Sequence, residues 1–350
     1  MNDMDISSIE IEMLSSDGHP FQSPPWAYLK QINGWTAVAL HLESRSYDLC
    51  ENLLILIRPI GRLFHIAYIP FCPHTVQTLL LNNGDFQSFS ESLCRFLPRS
   101  VVMIRYDLPF TYTDEQNIVS ISGRRIRECE ESVQPQATSI IDLKEGYEKV
   151  RSLYRKRARR AIRNAVRQDL AIIRYQGDTL LFERWYELYR ETAQRDGFSP
   201  RTKQYISRLV HDPAIREKCP FFLAFHNGVL SGGVITICSD NVCVYLLGAT
   251  KRISGISPGY PLLDRSVREA CERGCLYFDF HGVAGPFSKG SHLESLTLFK
   301  QSFGGTIFYR QPSTDYIRRP FLYSLYSRAE ALRYKILKKR KSKGGGRHIR

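Results

Sequence analysis

The 350-residue chain is 43% hydrophobic and 12% aromatic, enough for a substantial core and too apolar for a disordered chain. Its formal net charge of +14 comes from two blocks: eight Lys or Arg and no acid between Arg151 and Arg167, and nine with no acid between Arg333 and Arg350. Such blocks point to a polyanion, whether nucleic acid, phosphorylated substrate or anionic lipid, and no apolar run approaches the roughly 20 residues of a membrane-spanning helix.

In chain order, the opening MNDMDISSIEIEM lacks a basic region followed by an apolar one, so no secretory leader is expected. A helix starts at Ser23 behind two prolines and runs to Gln31, with Trp26, Leu29 and Lys30 on its inner side. Strands are expected over Trp35–Leu40, Leu53–Pro59, Leu63–Ile69 and Val101–Tyr106, with a helix over Phe86–Phe96. The polar stretch from Thr111 to Gln134 has no periodicity, and Ala137–Leu143 opens a second unit.

In that second unit one helix is expected around Lys144–Gln168, then a strand at Leu170–Tyr175 and helices over Leu180–Arg195 and Thr202–Leu209. Phe221–Phe225 and Val229–Cys238 flank Asn227–Gly228, a favoured hairpin turn. Val242–Leu247, a helix over Tyr260–Arg273 and the strand Cys275–Phe280 follow. A polar, glycine-rich loop then leads to a short helix that carries Lys300 to a Gly304–Gly305 stop, and another strand. The order suggests an α/β, compact N-acyltransferase-like fold rather than repeated βαβ units. No GxGxxG opens a helix and no GxxxxGK[ST] is present, so neither bound NAD nor ATP hydrolysis is indicated.

The nine cysteines are odd in number and form no CxxC pair, so they read as reduced cytosolic thiols. Cys271 and Cys275 lack a second pair, which argues against zinc. The basic helix divides by face: Tyr154, Ala158, Ile162 and Ala165 inward; Lys156, Arg159, Arg160, Arg163 and Arg167 outward. A nucleic-acid backbone, a lipid or precursor phosphate, or plain solvation would each suit that outer face.

Several segments in order resemble the FemAB/FemX family of peptidoglycan aminoacyltransferases: FQSPPWAYLK from Phe21, AYIPFCP, VMIRYDLP, QPQATSIIDL from Gln134, KRARRAIRNA from Lys156, WYELYRETAQRDGF from Trp185, LLGAT from Leu246, and YFDFHGVAG leading to LFKQSFGG. The likeness spans about residues 21 to 315. It implies tandem GNAT-like mixed-sheet domains: a first over 1–137, completed by 311–335, a second over 138–310, and a basic tail over 336–350. The strand after the basic helix leads directly to the helix of Trp185, so the chain resembles the FemX-like form without a helical arm.

The resemblance implies transfer of an amino acid from aminoacyl-tRNA, as co-substrate, to the stem-peptide amine of a UDP-linked or lipid-linked muropeptide. No other cofactor and no metal is implied, and the location would be cytoplasmic, at the inner face of the membrane. Lys300 matches the lysine that stabilises the oxyanion; residue chemistry alone leaves it equally a solvated helix-end lysine. Asp107 matches an acidic cleft position that receives or orients the amine's proton, with a salt bridge to Arg105 as the structural alternative. Lys30 and Arg195 correspond to substrate-phosphate ligands, although Arg195 could simply pair with Asp196. Tyr245 would line the stem-peptide groove, and His281 reads as a satisfied loop histidine. The outer face of the basic helix would meet tRNA, and the tail would be partly disordered, steering tRNA or resting on an anionic membrane. An acyl-CoA-dependent N-acyltransferase and a noncatalytic RNA-binding or cell-wall scaffold protein are the competing readings.

Overall fold

The computed structural model describes residues 4–83, 86–118, 121, 123–129, 132–285 and 293–344. The chain first lays down β1 (Asp5–Ile9), α1 (Pro24–Gln31), β2 (Thr36–Ser44), β3 (Leu49–Ile60), β4 (Phe64–Ile69), α2 (His74–Asn83), α3 (Phe86–Leu93), β5 (Val101–Tyr106) and β6 (Ile126–Glu128). Pro24 and Pro25 occupy the first turn of α1, where the missing N–H costs nothing. Leu53–Ile57 of β3 and all of β5 are buried, which is why they read as continuous apolar runs.

A second series follows: β7 (Ala137–Asp142), α4 (Tyr147–Ser152), α5 (Lys156–Arg167), β8 (Ala171–Arg174), α6 (Thr179–Asp196), α7 (Lys203–His211), α8 (Pro213–Arg216), β9 (Phe221–His226), β10 (Val229–Cys238), β11 (Val242–Thr250), α9 (Gly259–Glu272), β12 (Tyr277–Asp279), α10 (Leu293–Gln301) and β13 (Thr306–Tyr309). The chain then returns to the first body with β14 (Thr314–Ile317) and α11 (Pro320–Gly344).

Two seven-stranded mixed sheets result, in the orders β1-β2-β3-β4-β5-β14-β6 and β13-β7-β12-β11-β10-β9-β8. Each is antiparallel apart from one parallel pair, β4 with β5 in the first and β11 with β12 in the second. The architecture is α/β, two tandem GNAT-like sheets flanked by helices. One apolar cluster joins them: Phe21, Trp26, Leu29, Tyr68 and Phe71 pack with Trp185, Tyr189, Phe221 and Leu223.

Two local expectations are revised. The helix expected over 144–168 is two, α4 and α5, because the backbone between them closes on another segment: Arg155 N–H donates to Ser302 O at 2.8 Å, and Tyr154 packs edge-on against Phe303. At Gly304, φ is +83° and an added Cβ would stand 2.5 Å from Leu153 O, so only glycine suits this approach. Cys238 and Cys243, opposite one another in the β10–β11 register with Cα atoms 4.0 Å apart, are joined in a disulfide, while the other seven cysteines are free. Antiparallel pairing, which cysteine spacing did not reveal, brings those two together. The basic tail continues as helix α11 to Gly344, and residues 345–350 lie outside the described residues.

The two crossings between the sheets are held by Arg310, which is fully buried. Its Nε donates to Pro135 O at 2.7 Å, Nη2 to Gln134 O at 2.6 Å and Nη1 to Gln311 O at 3.0 Å. Nη1 also lies 3.1 Å from Oδ1 of Asp107, itself fully buried. Removing one partner of such a pair leaves an uncompensated buried charge. Arg310→Ala should therefore lower stability by about 3–5 kcal/mol, read as a reduced midpoint in urea unfolding; a change under about 1 kcal/mol would mean water replaces the guanidinium at little cost.

Candidate active site

Lys300 lies in the last turn of α10 and is only 3% exposed. Its Nζ donates to His281 O and, at 2.7 Å, to Gly282 O, and stands 5.5 Å from the Tyr245 ring. Burial pulls its pKa down to about 7, while Asp279 opposes that shift. The alternative of a solvated helix-end lysine is set aside, because the ammonium turns inward.

The two carbonyls face Lys300 because the chain leaves β12 through a left-handed residue, His281, with φ of 47°. Asp279 holds this turn: its Oδ1 accepts His281 N–H at 2.7 Å and the Thr138 hydroxyl. Burial raises the Asp279 carboxyl to about 6, against the lowering effect of those donors and of Lys300. Neither Asp279 nor Thr138 stood out in the sequence; a buried acid one residue before an aromatic and a histidine was the available signal.

His281 sits among cations. Burial first, then the charges of Lys300, Arg310 and Arg201, push its pKa down to about 3, so its imidazole is neutral. Its Nδ1 has no hydrogen-bond partner among the described residues, which corrects the reading of a satisfied loop histidine. A second neutral imidazole, His19, stacks on Phe71 with ring centroids 4.1 Å apart; burial and then His281 hold its pKa at about 3.

Asp107 lies just beyond β5. It accepts from the hydroxyls of Tyr68 and Ser313 and pairs with Arg310. Arg105, its expected structural partner, is engaged elsewhere: it binds Asp315 of the neighbouring strand β14 at 2.7 Å and Glu330 of α11 at 2.9 Å. Three donors thus already converge on Asp107, which makes it an anchor for Tyr68 and the crossing segments.

Lys30, at the end of α1, is ringed by aromatics: Nζ is 4.3 Å from the Trp26 ring and 5.4 Å from both Trp35 and Tyr205. It has no hydrogen-bond acceptor among the described residues. Burial, then repulsion from Arg201, lowers its pKa to about 7. Arg195 does not join it. That guanidinium grips Asp196 at 2.8 and 2.9 Å and Thr250 O at 2.8 Å, the bland pairing open to it from sequence. Arg201, which leans over Tyr205, is instead the second cation beside Lys30. It was missed because it lies six positions beyond Arg195 and its neighbour comes from the other sheet's body.

Tyr245 of β11 is shut in enough that burial raises its phenol to about 12. Its hydroxyl lies over Gly248, where a Cβ would stand only 2.1 Å away. Lys30 with Arg201, and Lys300 with Tyr245, are thus linked through His281 into one cationic region between the sheets. Among the described residues, no group of three or more His, Cys, Asp or Glu could hold a metal ion. The glycine-rich loop read as flanking Lys300 falls partly on residues 286–292, outside the described residues.

On α5, Ala158, Ile162 and Ala165 are buried while Lys156, Arg159, Arg160, Arg163 and Arg167 are exposed. None of these five forms an ion pair among the described residues.

This geometry has relatives among solved structures. A crystal structure of FemX superposes with a TM-score of 0.74, covering 92% of this chain and 100% of that one at 17% identity. The fold is FemX-like. A conserved protein of unknown function from Bacteroides thetaiotaomicron superposes with a TM-score of 0.53 at 12% identity, covering 90% of this chain and all of that one. Residues 152–288 match the family model described as an acetyltransferase (GNAT) domain. The search of curated proteins found no match. The buried Lys300 thus lies within a FemX-like fold.

Two measurements check this electrostatic picture. Asp279→Asn removes the charge that favours protonated Lys300, so the Lys300 Nζ titration, followed by NMR of lysine-labelled protein and assigned with Lys300→Met, should move to lower pH; an unmoved titration would show that Asp279 does not act on it. Because Lys300 titrates near 7 in the folded chain and near about 10.4 when unfolded, the unfolded chain binds more protons between those values and stability gains with pH across that window. The wild type should gain more than Lys300→Met between about pH 7 and 10 in paired urea titrations; parallel curves would place the lysine in water.

Proposed function

We propose that this chain is an aminoacyltransferase that moves an amino acid from aminoacyl-tRNA to the stem-peptide amine of a peptidoglycan precursor. The observation that carries this reading is the buried ammonium of Lys300 between two FemX-like sheets. An acyl transfer of this kind needs no nucleotide hydrolysis. The amine nitrogen attacks the ester carbonyl, a C–N bond forms, the ester C–O bond breaks, and the proton lost by the amine ends on the ribose hydroxyl of the departing tRNA.

Lys300, in its charged form, stabilises the anionic oxygen that develops on the carbonyl. Low local polarity strengthens that attraction, and the carbonyls of His281 and Gly282 aim the ammonium beforehand. Tyr245 borders the groove for the stem peptide. Asp107 acts by orienting Tyr68 and the crossing segments rather than by collecting a proton. Lys30 and Arg201 take the precursor's phosphates: neither has a carboxylate partner among the described residues, and their mutual repulsion is relieved when an anion binds. Arg195 serves the same region through Thr250 at the end of β11. The outward cations of α5 hold the tRNA backbone, which fixes position without reading sequence. Two units, one on each sheet, enclose this cleft: residues 1–137 completed by 311–335, and residues 138–310.

The GNAT match over 152–288 favours, as the second reading, an N-acyltransferase that uses acyl-CoA. Incubating the protein with charged tRNA and either UDP-linked or lipid-linked muropeptide, beside a parallel acyl-CoA series, separates the two. Mass gain of one aminoacyl group on the muropeptide supports the proposal, whereas acyl-CoA consumption alone reverses it. In the productive assay, Lys300→Met should lower turnover about 100-fold or more. Arg160→Glu with Arg163→Glu should instead raise KM for tRNA and flatten its salt dependence, leaving turnover at saturation nearly intact.

A further inference from the structure

At the end of the first sheet opposite the cleft, three chain segments come together. The turn between β3 and β4 carries Arg62 and Leu63; the pairing of His65 with Val101, and the bond from His65 N–H to Ser100 O at 3.1 Å, set that turn beside Arg99. Arg318 and Arg319 both donate their N–H to Val102 O at 3.0 Å, and Arg319 Nη2 reaches Arg99 O at 2.6 Å. Phe321, in the first turn of α11, completes the group.

The surface is apolar and cationic at once. Leu63 is 74% exposed and Phe321 77%. Along α11, Leu325 and Leu332 follow Phe321 on one stripe of the helical period, both more than half exposed, with exposed Arg328 between them. The opposite stripe is spoken for: Leu322, Tyr323 and Tyr326 pack on Ile66, Val102, Met103 and Ile317, and Glu330 binds Arg105. Arg62, Arg99, Arg318, Arg319 and Arg328 form no ion pair among the described residues. Beyond Leu332 the sequence adds nine further cations and no acid.

We propose that this end of the first sheet, with the outer stripe of α11, docks the protein on an anionic lipid surface. Phosphates of a nucleic acid would neutralise the arginines but give Leu63, Phe321 and Leu325 nothing to enter; a bilayer interface accepts both, taking apolar side chains below the headgroups and arginines among them. Asp107 follows β5 at its far end, so six strand residues hold the cleft about 20 Å from this surface, clear of the headgroups. No helix among the described residues is long and apolar enough to cross a membrane, so the contact is peripheral. It stands on surface chemistry alone and does not depend on the proposed reaction.

The test is co-sedimentation of the full chain with vesicles of phosphatidylcholine alone and of phosphatidylcholine with phosphatidylglycerol. Binding should be several-fold stronger to the anionic vesicles. Leu63→Asp with Phe321→Asp should weaken it at least tenfold with an unchanged thermal midpoint, since both side chains already face water. A Leu63→Trp probe should shift its emission to the blue on anionic vesicles only. Equal binding to both vesicle types, a double variant that sediments like wild type, or a probe that stays in water would overturn the proposal. So would a double variant that loses tRNA binding or self-association while keeping its lipid binding.

Discussion

Arg310 carries a charge into a place that water does not reach, and everything around it is arranged to meet that charge. Carbonyls from Gln134, Pro135 and Gln311 accept from its guanidinium while Asp107 balances it. The three carbonyls belong to the two stretches by which the chain enters the second sheet and leaves it, and Asp107 to the end of β5. With the apolar cluster that the two sheets share, this knot fixes how the walls of the cleft meet. Asp107 then passes the constraint on to Tyr68 and Ser313, so the first sheet's parallel pair ends at a fixed height.

Lysine chemistry in the cleft follows from that closure. Because the sheets share one apolar cluster, the ammonium groups of Lys30 and Lys300 are held where hydration is poor, and both are pulled to about 7. Their settings differ. Lys300 has two carbonyls and a nearby carboxylate, which keep it aimed; among the described residues Lys30 meets aromatic faces and a repelling arginine, which leave it ready for an anion. Neutral His19 and His281 fill the space between cations without adding charge. One end is thus suited to steadying a developing negative oxygen, and the other to gripping a negative group already present.

The segments legible in the sequence were those whose burial pattern is local. The proline-led α1, the continuous apolar β3 and β5, the Asn227–Gly228 hairpin and the two-faced α5 carry their signals within a few residues. The inward and outward sets of α5 are separated by helical period alone. Lys300 was found through an ordered set of motifs, since a lysine near a double glycine carries little information by itself.

What the sequence by itself determined, then, was the run of elements, the cationic helix face and the lysine worth inspecting, because period, turn chemistry and charge are properties of neighbouring residues. Only the tertiary structure decided that Arg201 rather than Arg195 stands beside Lys30, that Asp107 binds Arg310 rather than Arg105, that Asp279 frames Lys300, and that Cys238 meets Cys243. These contacts turn on sheet register and on how the two sheets pack. Asp107 and Ser313 are 206 positions apart, and no pattern along the chain measures that distance.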